Sequence, residues 1–156
     1  MKFKKKAAGF TLVELIVVIA IIGVLAAMLL PSLIGYVNKA KFSSINSSAK
    51  SLYNAAMAAC RETEVQKPIT EGVYTNTTEP SGGDGTLMRH FIYEYFTKAE
   101  DYTWAFYVEA DVVTAVCLAR DQNDNRVGTY PHPNNKNVTL GNNYASFLSY
   151  AQDGSW

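Results

Sequence analysis

The sequence predicts an α+β chain: a long N-terminal helix followed by a small antiparallel β-meander. Three observations predict it. An apolar run opens the chain, an apolar stripe at helical spacing follows, and β-branched runs joined by turn residues lie further on. At 156 residues the chain makes one domain, or one domain plus an appendage. With 48% hydrophobic and 18% charged residues it is neither disordered nor collagen-like. Lys+Arg and Asp+Glu both count 14, so no positive footprint for strong nucleic-acid binding exists. Two cysteines exclude a disulfide-stapled miniprotein and a four-cysteine zinc site.

The charges are unevenly placed. Lys2, Lys4, Lys5 and Lys6 precede Gly9 with no acid among them. Phe10–Val37 then carries a single charge, Glu14, and Leu15–Leu30 holds nothing more polar than Gly23. About 20 apolar residues of helix span a hydrocarbon core, so this run is long enough to cross with some tilt. Lysines just before it stay cytoplasmic by the positive-inside rule, which places the remainder outside. An ordinary signal peptide fits poorly, because the run is long, holds a carboxylate and lacks a clear A-x-A site. A plain signal anchor explains the lysines and the length but not Glu14. A carboxyl group deep in a bilayer costs about 2–3 kcal/mol by insertion scales.

Asn38–Glu62 continues the helix. Phe42, Ile45, Ala49, Leu52, Ala56 and Cys60 form one stripe, while Lys39, Lys41, Asn46, Lys50 and Asn54 mostly lie off it. With no strong breaker between the two segments, one helix runs from about Thr11 to Glu62, roughly 78 Å at 1.5 Å per residue. Its amphipathic half must bury the stripe on something downstream.

Thr63–Gly85, ending in EPSGGDG, reads as a long exposed loop. Leu87–Ala99 fits a short helix through Leu87, Phe91, Ile92, Tyr95 and Phe96. TWAFYVEA alternates Trp104, Phe106 and Val108 against Ala105, Tyr107 and Glu109. DVVTAVCLAR makes a second strand, with Cys117 on the face that holds Val113, Ala115 and Ala119. After the turn DQNDN, RVGTY makes a third. Three antiparallel strands would then cover the helical stripe. The tail from Tyr144 to Trp156 has no assignable pattern.

The segment KKAAG-FTLVE followed by the apolar helix resembles the prepilin signature of the type IV pilin and type II secretion pseudopilin family. The match covers about the first 40 residues. It consists of the basic leader, Gly9, Phe10, Thr11-Leu12, Glu14 and the helix containing Pro31. The resemblance implies how the predicted elements assemble: a pilin-like helix packed on a β-meander head. It implies a leader over residues 1–9, a transmembrane and assembly half over 10–37, and a globular head over 38–156. A membrane peptidase would cut between Gly9 and Phe10, and the same enzyme would methylate the new Phe10 amine. The resemblance further implies a homo-oligomeric helical filament built by a membrane platform and its ATPase. The chain sits in the cytoplasmic membrane first, single-pass with its head outside, and then in a surface or extracellular filament. Glu14 of one subunit would meet the Phe10 amine of a neighbour, since either charge alone is costly in an apolar core. Gly23 and Pro31 both weaken a helix, and the resemblance implies unwinding between them; a simple proline kink is the alternative.

Other residues carry less. Cys60 and Cys117 leave two readings open: a disulfide, which would stabilise by up to about 4 kcal/mol, or two buried thiols. Asp121, Asn123 and Asn125 place oxygens at alternating positions, as a calcium loop does, but Arg126 and His132 stand where glycine and glutamate are needed. A turn explains them as well. Asn46-Ser-Ser48, Asn76-Thr-Thr78 and Asn137-Val-Thr139 match the N-glycosylation pattern. Tyr74, Tyr130 and Trp156 are candidate surface aromatics. His90 and His132 belong to no triad or metal motif, and no catalytic constellation or cofactor site is expected. The expected role is a structural, non-enzymatic subunit of a type IV pilus-like filament. The alternatives are a pseudopilin of a type II secretion or DNA-uptake system and, from another class, a monomeric membrane-anchored binding protein. The long loop and the aromatic content fit a surface-displayed pilin better. The head from Asn38 on has 10 basic and 13 acidic residues, which argues against direct DNA binding.

Overall fold

The computed structural model describes residues 9–76, 78 and 83–155. The four leader lysines, part of EPSGGDG and Trp156 therefore lie outside the described residues. The elements are α1 (Leu12–Gln66), β1 (Gly72–Thr75), α2 (Gly85–Tyr95), a 3-10 turn (Thr97–Asp101), β2 (Thr103–Glu109), β3 (Val112–Ala119), β4 (Gly128–Tyr130) and α3 (Tyr144–Asp153). The chain divides into two units, Met1–Asn38 and Lys39–Trp156.

The first unit is the apolar part of α1. Helix continues through Gly23 and Pro31 without interruption. Its large side chains are exposed throughout, from Leu12 to Val37. This helix is long and apolar enough to cross a membrane, with a mean hydropathy of 3.0 in its most apolar window.

In the second unit, α1 buries the anticipated stripe. Ile45, Ala49, Leu52, Ala56 and Cys60 are all buried, and Ala55 and Ala59 widen the contact. All of these but Ala55 cluster with Trp104, Phe106, Val108, Val113, Val116 and Leu118 of the sheet, with Met88 and Ile92 of α2 completing the cluster. The small alanines let the helix lie close, and β4 comes closer still. A Cβ on Gly128 would fall 2.4 Å from the Ile45 carbonyl oxygen, so only glycine fits there.

The sheet has four strands rather than three, antiparallel in the order β1-β2-β3-β4. The added strand β1 lies inside the segment expected to be loop. Four residues carry too little alternation to be read, and the strand is defined by pairing along β2, from Gly72↔Val108 to Thr75↔Ala105. Tyr74 on β1 is buried, not a surface aromatic: its ring stacks on Phe106 at 5.1 Å, and its hydroxyl bonds the Thr70 carbonyl and the buried Asp84 carboxylate. Tyr130 is half-buried against Tyr53, 4.8 Å between ring centres.

The β2–β3 hairpin turns on Ala110 and Asp111, both at positive φ, as a two-residue turn needs. The Ala110 N–H is held by the Glu71 carboxylate at 2.9 Å. One irregularity follows. Tyr107 pairs with Ala115 but Val108 pairs with Val113, so Thr114 is an extra residue. Val113 and Ala115 therefore face opposite sides, which corrects the uniform alternation read across them. The unassigned tail forms α3. Phe147, Leu148 and Ala151 pack with Ala105, Ala115, Cys117 and Ala119 on the sheet's other face. The sheet is thus covered on both faces, and its own buried residues are large on the α1 side and mostly small on the α3 side.

Two element boundaries also moved. Helix α1 reaches Gln66, stopping short of Pro68, which disfavours helix in the residue before it. Helix α2 ends at Tyr95, and the rest of its expected length is the 3-10 turn.

Candidate functional site

The candidate site is the start of α1. Gly9 and Phe10 precede the helix and are exposed, Phe10 by 85%. Both residues lie in irregular backbone, and among the described residues nothing lies within 4 Å of where a Gly9 side chain would begin.

Thr11 and Glu14 close the helix start reciprocally. The Thr11 N–H donates to Glu14 Oε2 at 2.8 Å, and the Thr11 hydroxyl donates to the same oxygen at 2.7 Å. The Glu14 N–H donates to Thr11 Oγ1 at 3.2 Å. The Thr11 carbonyl accepts the first helical bond, from Leu15 N–H at 3.2 Å. This is a capping box, T-x-x-E, which satisfies N–H groups that a helix start leaves bare. The sequence reading assigned Glu14 a role between subunits and missed this role within one. The four-residue pattern T-L-V-E was the available signal. The arrangement gives Glu14 two chemical capacities, a cap now and a negative charge for an amine brought near it.

The comparisons with known proteins bear on this segment. The family model described as the prokaryotic N-terminal methylation motif matches residues 4–30. The chain carries a prepilin-type N-terminus. The type IV major pilin protein PilA of Myxococcus xanthus is 43% identical to it over 54 residues, 35% of this chain and 24% of that protein. The type II secretion system core protein G of Vibrio cholerae is 32% identical over 81 residues, 52% of this chain and 56% of that protein. The chain thus spans about a quarter and about half of the lengths of these curated relatives. No solved structure matches. The prepilin-type segment and the capping box coincide: Phe10, Thr11 and Glu14 all fall inside the matched residues.

The remaining candidates are located as follows. Cys60 and Cys117 are free, buried thiols. Cys60 faces the α1 cluster and Cys117 the α3 cluster, with the sheet between them, so the Cys60–Cys117 disulfide is not formed. Burial, then the negative charges of Asp111, Asp84 and Glu64, pushes the Cys60 thiol up to about 12. Burial pushes the Cys117 thiol up to about 12 as well. Asp121 Oδ1 accepts the Asn123 N–H at 2.6 Å, the turn geometry that competes with the calcium reading of Asp121, Asn123 and Asn125. Among the described residues, no group of three or more His, Cys, Asp or Glu comes together. Asn46, the first residue of a glycosylation match, is engaged at both ends. Its amide donates to the Asn134 carbonyl at 2.8 Å and accepts the Thr129 N–H at 3.0 Å. His90 and His132 are exposed, and His132 Nδ1 lies 3.0 Å from the Ala151 carbonyl.

Proposed function

We propose that this chain is the precursor of a structural filament subunit. It is anchored in the cytoplasmic membrane by residues 10–37, cut after Gly9, methylated at Phe10 and polymerised through α1. The observation that supports it most is the pairing of an exposed Gly9 and Phe10 with an apolar helix half that buries nothing of itself. Apolar area on that scale is covered by lipid in the membrane or by equivalent helices in an assembly. The role is structural, not catalytic. Its processing enzyme, assembly platform and ATPase are separate proteins.

The similarity to core protein G extends beyond the methylation motif, so a pseudopilin of a type II secretion system is the second reading. Intact-mass and N-terminal analysis of the protein from its native membrane tests the shared part. A chain starting at N-methyl-Phe10 supports filament assembly. A chain starting at Met1, in cells with an active prepilin peptidase, leaves a membrane-anchored binding protein instead. Shearing the cells then separates the two filament readings, since only a surface pilin is released in long filaments.

A further inference from the structure

We propose that a cationic cleft in the second unit binds the phosphate group of an anionic lipid. The cleft is a cavity of about 320 Å³ lined by Lys41, Ile45, Tyr102, Arg120, Asp124 and Arg126, with Ser44 at its wall. Three cations thus face one acid. That acid is already answered: Asp124 Oδ1 takes the Arg126 N–H at 3.1 Å and its Nε at 3.3 Å. Lys41 and Arg120 make no hydrogen bond or ion pair among the described residues, and both are exposed. A further acid, Asp101, lines an adjoining cavity with Tyr102 and Arg120. Counting it, the cations still outnumber the acids.

Planar guanidinium groups grip phosphate oxygens through paired N–H donors, and a lysine adds a point charge. The Tyr102 hydroxyl, 3.3 Å from the Ser48 hydroxyl, supplies a polar edge. Position along α1 selects the source of the phosphate. Lys41 is four residues beyond Val37, where the apolar run ends, or about 6 Å of helix. The headgroup layer beyond a hydrocarbon core is about 5–7 Å thick. When residues 10–37 span a membrane, Lys41 lies at headgroup depth. An anionic lipid presents its phosphate without a balancing ammonium, which favours it over a zwitterionic one. This inference rests on the membrane insertion proposed above.

The test uses the full chain reconstituted into nanodiscs of equimolar phosphatidylcholine and phosphatidylglycerol. Lipid retained on the released protein is counted by native mass spectrometry. Preferential retention of phosphatidylglycerol is expected, falling roughly tenfold in the Lys41→Gln/Arg120→Gln variant. The Lys50→Gln/Lys98→Gln variant removes the same charge from exposed positions outside the cleft and should retain the preference. Equal retention of the two lipids overturns the proposal, as does an equal loss in the control variant. Displacement of the lipid by inorganic phosphate at matching concentration would assign the cleft to a free anion and overturn the lipid source. Recovery of the chain in the nanodisc fraction is scored separately. A chain that fails to insert breaks the functional reading, whereas one that inserts without lipid preference breaks only this inference.

Discussion

The two halves of α1 share a backbone and differ in what holds them. From Lys39 onward the helix has a partner in its own chain: Ala49, Leu52, Ala56 and Ala59 are fully buried against the sheet. Before Asn38 it has none among the described residues, and side chains such as Leu25 and Leu29 are 56% and 66% exposed. In the amphipathic half, tertiary packing supplies the stability, as it does for most helices in water. In the apolar half, the described residues offer intrinsic helix preference and local bonds such as the Thr11–Glu14 box. Identical secondary structure therefore arises from two causes, and the same substitution should act differently in each.

The sharpest contrast uses leucine. Leu52→Ala should lower the unfolding free energy of the head by about 2–5 kcal/mol, because it empties a fully buried site. Leu25→Ala should change it by less than about 0.5 kcal/mol. Urea titration of both variants in detergent micelles, followed by tryptophan fluorescence, checks this. Equal losses would show that the halves do not differ as described.

Gly128→Ala comes next, at about 1–3 kcal/mol, since the new methyl would strike the Ile45 backbone and not a side chain that can turn away. The same titration reads it, and an unchanged midpoint would mean that β4 shifts without cost.

Glu14 then separates cap from charge. Glu14→Ala should weaken the helix start by about 1 kcal/mol, whereas Glu14→Gln keeps a capping-box residue. Amide exchange of residues 11–15 in micelles measures that step. Filament yield measures the other: if both variants fail to assemble, the negative charge is what a neighbour needs. Normal assembly of Glu14→Gln would reduce Glu14 to its cap.

The smallest effect is at neutral pH, where the two thiols should do nothing. Their folded values lie near 12, above the ordinary 9.0, so the protonated form is favoured in the fold. The stability this contributes is complete below pH 9 and is lost as pH rises from 9 towards 12. Alkaline titration of unfolding should show this slope, and replacing Cys117 by alanine should flatten it.

What was legible in the sequence had a period. The apolar run, the stripe from Ile45 to Cys60, and strands β2 and β3 all announce themselves by local repetition. What was missed depends on partners far along the chain. Strand β1 is four residues whose burial exists only through β2 and Asp84, and α3 is recognisable only once the Ala105–Cys117 face needs a cover. The extra residue at Thr114 defeated a strict period of two and put Val113 on the wrong side. At the helix start, Gly9, Phe10 and Glu14 were singled out by the resemblance to the prepilin signature. The reciprocal bonds of Glu14 with Thr11 were not, although the pattern stood in the same four letters.

The sheet order has one more consequence. Its two edges are β1 and β4, of four and three residues. On each, an outward N–H is taken by the chain itself: the Thr75 N–H by the Thr78 carbonyl at 2.9 Å, and the Thr129 N–H by Asn46. Short, self-answered edges give a foreign strand little to extend. In the proposed filament, where copies would crowd together, such edges would disfavour cross-strand aggregation and leave association to α1.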